Sequence, residues 1–246
     1  MSNFRVELTG RVALVTGAGS GVGRAAALAL AQAGAAVCVN DVNPDRVENV
    51  VESIRAAGGQ VIGQTADSSN RFQVAALIEA TRDAFGGLHI LVNAAGVEKR
   101  AALLSLDEYD WRRVLDINLT GTFFCTQLAA RVMADEGGGV IVNVGGAHTG
   151  TPSYAASQAG IAGLTRAAAR ELAAHGIRVN AVQSANITSE AKPADSTRIP
   201  LGHTGTASDV AAVVLFLCSD GASFITGQTL VVDGGAQAAE GYSVES

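Results

Sequence analysis

Short apolar runs alternate with longer amphipathic stretches along most of the chain. The runs are rich in valine, isoleucine and leucine and are bounded by glycines and polar residues, which is typical of strands buried on both faces of a sheet. We predict strands at residues 12–16, 36–40, 61–65, 90–93, 140–144, 178–182 and 229–232. The alanine-rich stretches between them have helical periodicity. They predict helices at residues 23–33, 44–57, 71–85, 107–134, 153–174 and 208–217.

The alternation of strands and helices predicts the architecture. Right-handed crossovers between parallel strands place helices on both faces of a sheet, so we expect an α/β fold with a doubly wound parallel sheet of about seven strands, a Rossmann fold. No repeat, low-complexity tract or linker divides the chain, and residues 1–246 are predicted to form a single domain. Residues 184–206 lack periodicity and contain Pro193 and Pro200; we interpret them as a surface loop or lid.

Composition and charge narrow the possible partners. Hydrophobic residues make up 48% of the 246 residues and charged residues 16%, which is enough apolar material for a buried core. The net charge of −6 favours neither nucleic acid nor an anionic membrane as a partner. There is no apolar run of about 18 residues free of helix breakers, so no membrane span is predicted. Residues 1–10 are polar and lack the core of a signal peptide, and we expect a cytoplasmic location.

The cysteines and histidines give no sign of a metal site or a disulfide. Cys38, Cys125 and Cys218 each lie in an apolar stretch, without a Cys-x-x-Cys pair. We interpret them as buried free thiols in a reducing compartment. The four histidines are scattered and form no zinc-type cluster, so no metal is expected.

A glycine-rich turn follows the first predicted strand and opens the first predicted helix. Its sequence, residues 16–23, is Thr-Gly-Ala-Gly-Ser-Gly-Val-Gly. Glycines let the backbone approach a pyrophosphate, and the helix that follows offers unpaired N–H groups to that anion. A tight turn without a ligand is the alternative, but the position between strand and helix favours dinucleotide binding. The residues expected to contact the dinucleotide are Gly17, Ser20, Gly21, Val22 and Gly23.

An acidic residue, Asp41, follows the second predicted strand. A carboxylate there would accept hydrogen bonds from the adenosine ribose hydroxyls and would repel a 2′-phosphate. No arginine precedes Gly21 in the glycine turn, and Arg46 lies several residues beyond Asp41. These features favour NAD over NADP as the cofactor. The alternative is that Asp41 only caps the turn at residues 42–44.

Motifs along the whole chain resemble those of the short-chain dehydrogenase/reductase family. The glycine spacing Gly-x-x-x-Gly-x-Gly matches the family, and residues 93–96, Asn-Ala-Ala-Gly, resemble its Asn-Asn-Ala-Gly. Asn118 and Tyr154 match two members of its catalytic tetrad, and residues 199–202 and 225–235 resemble its C-terminal signatures. The resemblance implies further cofactor contacts at Asp67, Ser68, Asn93, Ala95, Gly96, Gln158 and Ile187.

The family's reaction moves a hydride between nicotinamide and a carbonyl or alcohol carbon. The resemblance implies that Tyr154 is the acid/base and that Asn118 organises a water relay. In the family, a lysine four residues after the tyrosine binds the nicotinamide ribose and lowers the tyrosine pKa; here that residue is Gln158. An amide can hold a ribose hydroxyl but has no charge with which to lower a pKa. With an ordinary pKa of about 10, Tyr154 would suit proton donation in a reduction better than alcohol oxidation.

Other departures from the family pattern lie at the same end of the site. The family serine after the fifth strand is replaced by glycine in the pair Gly145-Gly146, and the usual Pro-Gly after the sixth strand is Ser184-Ala185. The loop before the tyrosine and the lid at residues 184–206 both look shorter than in the family. A shorter lid would exclude water less well.

Nearby polar residues are candidates to replace the lost groups. His148, Thr149 or Ser153 can supply a hydrogen-bond donor in place of the serine, or they are ordinary loop residues. Lys99 and Arg100 can supply positive charge, or they form a solvated surface turn.

Three functions are compatible with this pattern. The favoured one is an NAD-dependent oxidoreductase that acts on a carbonyl/alcohol pair of a small-molecule substrate, with Tyr154 mainly as acid. The second is a catalytically silent subunit of a hetero-oligomer with an active family member. The third is a non-redox enzyme or ligand-binding protein that reuses the pocket. The resemblance also implies a homodimer or homotetramer in which helices 107–134 and 153–174 pair across an axis.

Overall fold

The chain folds into alternating strands and helices. The computed structural model describes residues 6–146, 151–190, 192–193 and 199–238. The strands are β1 (Val12–Thr16), β2 (Ala36–Asp41), β3 (Val61–Thr65), β4 (Ile90–Asn93), β5 (Gly139–Gly146), β6 (Ile177–Ser184), β7 (Ile187–Thr188), β8 (Gly205–Thr206) and β9 (Thr229–Val232). The helices are α1 (Gly21–Gln32), α2 (Pro44–Ala56), α3 (Arg71–Phe85), α4 (Glu108–Leu115), α5 (Gly121–Asp135), α6 (Pro152–Leu172) and α7 (Ala207–Cys218).

Seven of these strands form one parallel sheet in the order β3-β2-β1-β4-β5-β6-β9. The chain runs outward from β1 to β3, returns to pair β4 with β1, and continues outward on the other side. This is the doubly wound topology, and the predicted Rossmann fold is confirmed. The strand order reverses between β1 and β4, and ligands of such sheets bind in the crevice beyond the carboxyl ends of the strands at that point.

Two apolar clusters cover the two faces of the sheet. Side chains alternate along a strand, so Ala13 and Val15 of β1 face one cluster while Leu14 faces the other. Helices α1, α2 and α7 pack in the first cluster, and α3, α5 and α6 pack in the second. Full burial of a side chain such as Leu14 stabilises the folded state by about 1.5–3 kcal/mol relative to leaving it exposed to water. The packed strands therefore form a rigid support for the loops that follow them.

The region predicted as one helix at residues 107–134 contains a π turn. This turn, Asp116–Thr120, lies between α4 and α5 and carries Asn118. Gly121 follows directly and lies against the backbone of Ser68, since a Cβ there would be 3.1 Å from the Ser68 oxygen. A π turn adds one residue to a helical turn, which hydrophobic periodicity does not reveal, and such turns are frequent at functional sites.

The segment predicted as a loop or lid contains a small parallel ladder. β7 pairs with β8 close to the carboxyl end of β6, and the Gly205 N–H donates to the Asn186 carbonyl at 3.1 Å. Asn186 is in the left-handed region with φ of 57°, a conformation that asparagine tolerates better than most residues. The Thr204 hydroxyl accepts from the Lys192 N–H at 2.9 Å. Residues 191 and 194–198 lie outside the described part of the chain.

The described residues include the three cysteines and the helices about which the composition made predictions. Cys38, Cys125 and Cys218 are buried free thiols, and burial raises the pKa of Cys125 to about 12. None of the described histidines, cysteines and acidic residues cluster in a group that could hold a metal ion. No helix within the described ranges is long and apolar enough to cross a membrane.

His89 bridges two strands at the amino end of the sheet. Its Nδ1 accepts a hydrogen bond from the Val12 N–H at 3.1 Å, which requires that this nitrogen carry no proton. Burial lowers the pKa of His89, and the charge of Arg11 lowers it further. The folded state therefore binds this proton less readily than the unfolded state does.

We predict that His89 makes the folded state less stable in mild acid. The pKa of His89 is lowered in the folded state. Its contribution to the free energy of unfolding is therefore complete above the ordinary histidine pKa of about 6.5 and is lost as the pH falls toward the folded-state pKa. Urea midpoints measured between pH 7.5 and pH 5 should fall less steeply for His89→Gln than for the native chain. The same change at His175, which is exposed, is the control. Parallel slopes for the native chain and His89→Gln would contradict the prediction.

Candidate active site

A cleft of about 1230 Å³ opens at the carboxyl ends of the central strands. Its walls come from the loops after β1 and β4 and from the ends of β2, β5 and β6. This is the crevice that the strand order predicts as a ligand site. The predicted site residues among its walls are Gly17, Ser20, Gly21, Val22, Gly23, Asp41, Asp67, Ser68, Ala95, Gly96, Asn118, Tyr154, Gln158 and Ile187.

The glycine turn is shaped to accept a phosphate group. Gly17 has φ of 61° and lies so close to the next loop that a Cβ would be 2.6 Å from the Ala95 Cα. Gly23 packs against the Gly17 carbonyl, and a Cβ there would collide with it. Gly21 has φ of 53° and faces open space in the cleft. The Ser20 side chain makes no capping hydrogen bond, so the first N–H groups of α1 remain available to an anion.

Asp41 supports the glycine turn and also borders the cleft. Its Oδ2 accepts from the Gly19 N–H at 3.1 Å, and its Oδ1 accepts from the Asn43 N–H at 3.0 Å. The capping role considered for this residue is therefore present. It does not exclude a role toward a ribose, because Asp41 remains among the walls of the cleft.

Asn93 differs from the other predicted cofactor contacts. Its side chain is buried beneath the cleft, and Nδ2 donates to the Asn143 Oδ1 at 2.9 Å and to the Thr126 hydroxyl at 3.2 Å. Asn143 in turn donates to the Thr165 hydroxyl of α6 at 2.9 Å. The side chain of Asn93 thus joins β4, β5 and α5 and does not line the cleft. The alternation of side chains along β4 turns it toward α5.

Tyr154 lies near the start of α6 with its hydroxyl against Gly146 at the end of β5. A Cβ at Gly146 would collide with the tyrosine oxygen, so only glycine permits this approach. Burial raises the pKa of the Tyr154 hydroxyl, the negative charge of Glu98 raises it further, and a hydrogen bond with the Gly146 backbone offsets part of the effect. The hydroxyl therefore keeps its proton more firmly than an exposed tyrosine does.

Gln158 is buried at the same end of the cleft, only 2% exposed. Its Oε1 accepts from the Gly146 N–H at 3.1 Å, and its Nε2 donates to the Ser157 hydroxyl at 3.3 Å. A Cβ at Gly145 would collide with Oε1. The amide oxygen therefore occupies the space of a side chain at residue 145, and the glycine pair and the glutamine are sterically linked.

Asn118 ties together the segments around Tyr154. Its Oδ1 accepts from the Val97 N–H at 2.8 Å, and its Nδ2 donates to the Val97 carbonyl at 2.9 Å. Nδ2 also donates to the Ser157 hydroxyl at 3.1 Å, which donates to the Tyr154 carbonyl at 2.7 Å. The carboxamide thus joins the loop after β4 to the first turns of α6.

The charged residues after β4 divide between the cleft and the surface. Lys99 forms an ion pair with Asp110, with 3.0 Å between Nζ and Oδ2, which agrees with the surface interpretation of this lysine. Glu98 and Arg100 line the cleft. Sequence reasoning missed Glu98, although its position two residues after the motif at residues 93–96 was a signal.

Of the candidate replacements for the lost serine, only Ser153 lies within the described residues. Its side chain is fully buried, its Oγ has no hydrogen-bond partner, and it is not part of the wall of the cleft. His148 and Thr149 lie outside the described residues.

Comparison with known proteins identifies the family. Residues 17–237 match the family model described as enoyl-(acyl carrier protein) reductase. The chain is 40% identical over 239 residues to the (2S)-[(R)-hydroxy(phenyl)methyl]succinyl-CoA dehydrogenase subunit BbsD of Thauera aromatica, covering 92% of this chain and 96% of that protein. It is 37% identical over 243 residues to the 3-oxoacyl-[acyl-carrier-protein] reductase FabG of Thermotoga maritima, covering 94% and 99%. The chain belongs to the short-chain dehydrogenase/reductase family.

Solved structures of family members have the same fold. A short-chain alcohol dehydrogenase of Sinorhizobium meliloti 1021 superposes with a TM-score of 0.89 at 38% identity, covering 95% of this chain and 98% of that one. A short-chain type dehydrogenase/reductase of Mycobacterium ulcerans gives a TM-score of 0.89 at 32% identity, covering 94% and 91%. These relatives are oxidoreductases by name, and the family typically uses a nicotinamide cofactor.

We predict that Gly145→Ala destabilises the protein by about 1–3 kcal/mol, the usual cost of overpacking. The added methyl group would collide with the Gln158 oxygen and displace it from the Gly146 N–H. Gly163→Ala is the matched control, since a Cβ on that exposed face of α6 meets nothing within 4 Å. Urea denaturation gives the free energies of unfolding.

A double-mutant cycle isolates this steric link. Gly145→Ala should cost less when Gln158 is already alanine, because the colliding oxygen is then absent. The prediction of coupling would be wrong if the losses in free energy of unfolding caused by Gly145→Ala and Gln158→Ala added up in the double variant.

Proposed function

We propose that this chain binds NAD(H) in the cleft and acts on a carbonyl/alcohol pair of a small molecule, with Tyr154 as the proton donor. The observation that carries this proposal is the shared cleft of the glycine turn, Asp41 and Tyr154. Gly17, Gly21 and Gly23 would hold the pyrophosphate against the start of α1. The bound nicotinamide would supply the hydride acceptor or donor.

The state of Tyr154 favours reduction over oxidation. Burial and the charge of Glu98 both raise its pKa, so the hydroxyl is a proton donor at neutral pH. In a reduction, the carbonyl carbon gains a hydride and its oxygen takes the proton of the Tyr154 hydroxyl. The reverse reaction needs the tyrosinate, which neither Gln158 nor Gly146 stabilises with a charge.

The choice of NAD over NADP is part of the proposal. A carboxylate at the end of β2 repels a 2′-phosphate, and the hydrogen bonds from Gly19 and Asn43 hold Asp41 in place at that edge of the cleft. Arg46 also lines the cleft, and it is the cation that would favour NADP if Asp41 were neutral.

A silent subunit is the second candidate, and the arrangement of Gln158 favours it. Its amide oxygen fills the place of a side chain at residue 145 and accepts from Gly146, so the family's lysine and serine positions are both occupied by a packed, neutral network. The relative from Thauera aromatica is named as a subunit of its dehydrogenase. We propose that, in this case, the chain assembles with a family member that keeps an intact Tyr-x-x-x-Lys motif.

The proposal extends to organisation and location. Residues 1–246 would form one dinucleotide-binding domain in the cytoplasm, with residues 184–206 as a short lid. A homodimer or homotetramer would form through α4, α5 and α6. The exposed aromatic side chains Tyr109, Trp111 and Phe123 on α4 and α5 are consistent with such a contact.

We predict that Asp41→Asn increases the affinity for NADPH by about tenfold and changes that for NADH less. The amide keeps an oxygen for one of the two N–H groups that donate to Asp41, those of Gly19 and Asn43, while the charge that repels the 2′-phosphate is removed. Fluorescence titration with both reduced cofactors measures the dissociation constants. Asp45→Asn, an exposed charge change on α2, is the control. An unchanged NADPH affinity would show that Asp41 does not select the cofactor.

We predict that Tyr154→Phe lowers any carbonyl reductase activity by about 100-fold or more while NADH binding persists, since general acid catalysis contributes on that scale. A panel of ketones and acyl thioesters, followed by loss of NADH absorbance, measures the activity. NADH binding without turnover by the pure chain, together with activity only after co-expression with an intact family member, would instead support the silent subunit.

A further inference from the structure

Glu98 is held from both sides at the Tyr154 end of the cleft. Val97 before it is fixed by two hydrogen bonds with the Asn118 carboxamide, at 2.8 and 2.9 Å. Lys99 after it is paired with Asp110 at 3.0 Å. Glu98 itself lines the cleft, and no ion pair among the described residues neutralises its carboxylate. A free negative charge is therefore positioned in the part of the cleft where the chemistry is proposed.

The charge that raises the pKa of Tyr154 is negative. The family's lysine is the neutral Gln158, whose amide is engaged with Gly146 and Ser157. Of the charged groups in the described residues, only the Glu98 carboxylate shifts the pKa of the Tyr154 hydroxyl.

Arginines also line the cleft but do not offset Glu98 at this point. Arg112 pairs with Glu108 on the exposed side of α4, with 2.7 Å between Nη2 and Oε1. Arg100 and Arg113 are as exposed to water as Glu98 is, but of these three charges only that of Glu98 is a cause of the raised pKa of Tyr154.

We propose that Glu98 makes the cleft selective for the oxidised cofactor, because its carboxylate stabilises the positively charged nicotinamide ring of NAD⁺ and not the uncharged ring of NADH. This inference rests on the proposed binding of NAD(H), with the nicotinamide at the Tyr154 end. In the family the lysine places a positive charge near this ring. Here Gln158 removes that charge and Glu98 adds the opposite one, so the two substitutions act in the same direction.

The consequence is that bound NADH becomes a stronger hydride donor. Tighter binding of NAD⁺ than of NADH lowers the reduction potential of the bound couple, by about 30 mV for each tenfold change in the ratio of dissociation constants. Glu98 would therefore favour hydride transfer to a carbonyl, in the same direction as the retained proton of Tyr154.

The test is to measure the dissociation constants of NAD⁺ and NADH for the native chain, Glu98→Gln and Glu98→Lys. NADH is titrated by its fluorescence, and NAD⁺ by displacement of NADH. We expect the ratio of the NADH constant to the NAD⁺ constant to fall about threefold to tenfold in Glu98→Gln and further in Glu98→Lys. Because Glu98 is exposed, the effect should shrink in high salt.

Glu52→Gln is the matched control. Glu52 is exposed on α2, carries the same charge and is not part of the wall of the cleft. The ratio of the NADH constant to the NAD⁺ constant in Glu52→Gln should equal that of the native chain. A ratio that is the same in the native chain and in both Glu98 variants would overturn this inference and leave the proposed function intact. Failure of the native chain to bind either form would overturn both.

Discussion

The hydrogen bonds of the Asn118 carboxamide are the interactions on which the Tyr154 end of the cleft depends. Three hydrogen bonds from one buried side chain hold the backbone at Val97 and the hydroxyl of Ser157. Through Val97 the carboxamide positions Glu98, and through Ser157 it positions the first turns of α6 with Tyr154 and Gln158. The π turn presents this side chain from within a helix. A buried amide that lost these partners would leave unsatisfied polar groups, each costing about 1–3 kcal/mol.

Gln158 and the pair Gly145-Gly146, which are predicted to depart from the family pattern, pack against each other. Gly146 allows the Tyr154 hydroxyl to approach the end of β5, and Gly145 allows the Gln158 oxygen to fill the neighbouring space. Because Gln158 is only 2% exposed and its amide oxygen accepts from a backbone N–H, it has a structural role beyond the loss of a charge. Restoring a lysine alone at residue 158 would place a charge into this buried network, where desolvation opposes it.

The residues at the two ends of the cleft therefore differ in how closely they resemble the motifs of the family. At the end with the glycine turn, Gly17 and Gly23 pack closely against neighbouring backbone, and Asp41 supports the turn. At the other end, the groups that would activate a tyrosine are replaced by neutral or negative ones. This contrast agrees with a chain that binds a dinucleotide and that uses Tyr154, if it reacts, as a proton donor.

Local periodicity and motif spacing were sufficient for most of the elements and for the main sheet, and all but one of the predicted site residues line the cleft. Strands follow from short continuous apolar runs and helices from a repeat of 3.6 residues, and the glycine turn follows from the conformations that only glycine adopts readily. The π turn, the ladder of β7 and β8 and the buried position of Asn93 were not predictable, because they depend on contacts between distant segments.

The sequence by itself determined the fold and predicted the dinucleotide-type turn and the replacement of the family's lysine and serine. Only the tertiary structure decided what fills their places. It set Gln158 against Gly145 and Gly146, 13 and 12 positions away in the chain, and it brought Glu98 to the same end of the cleft as Tyr154. The physical reason is that steric exclusion and electrostatic interaction act through space, so their outcome depends on side chains that only folding brings together.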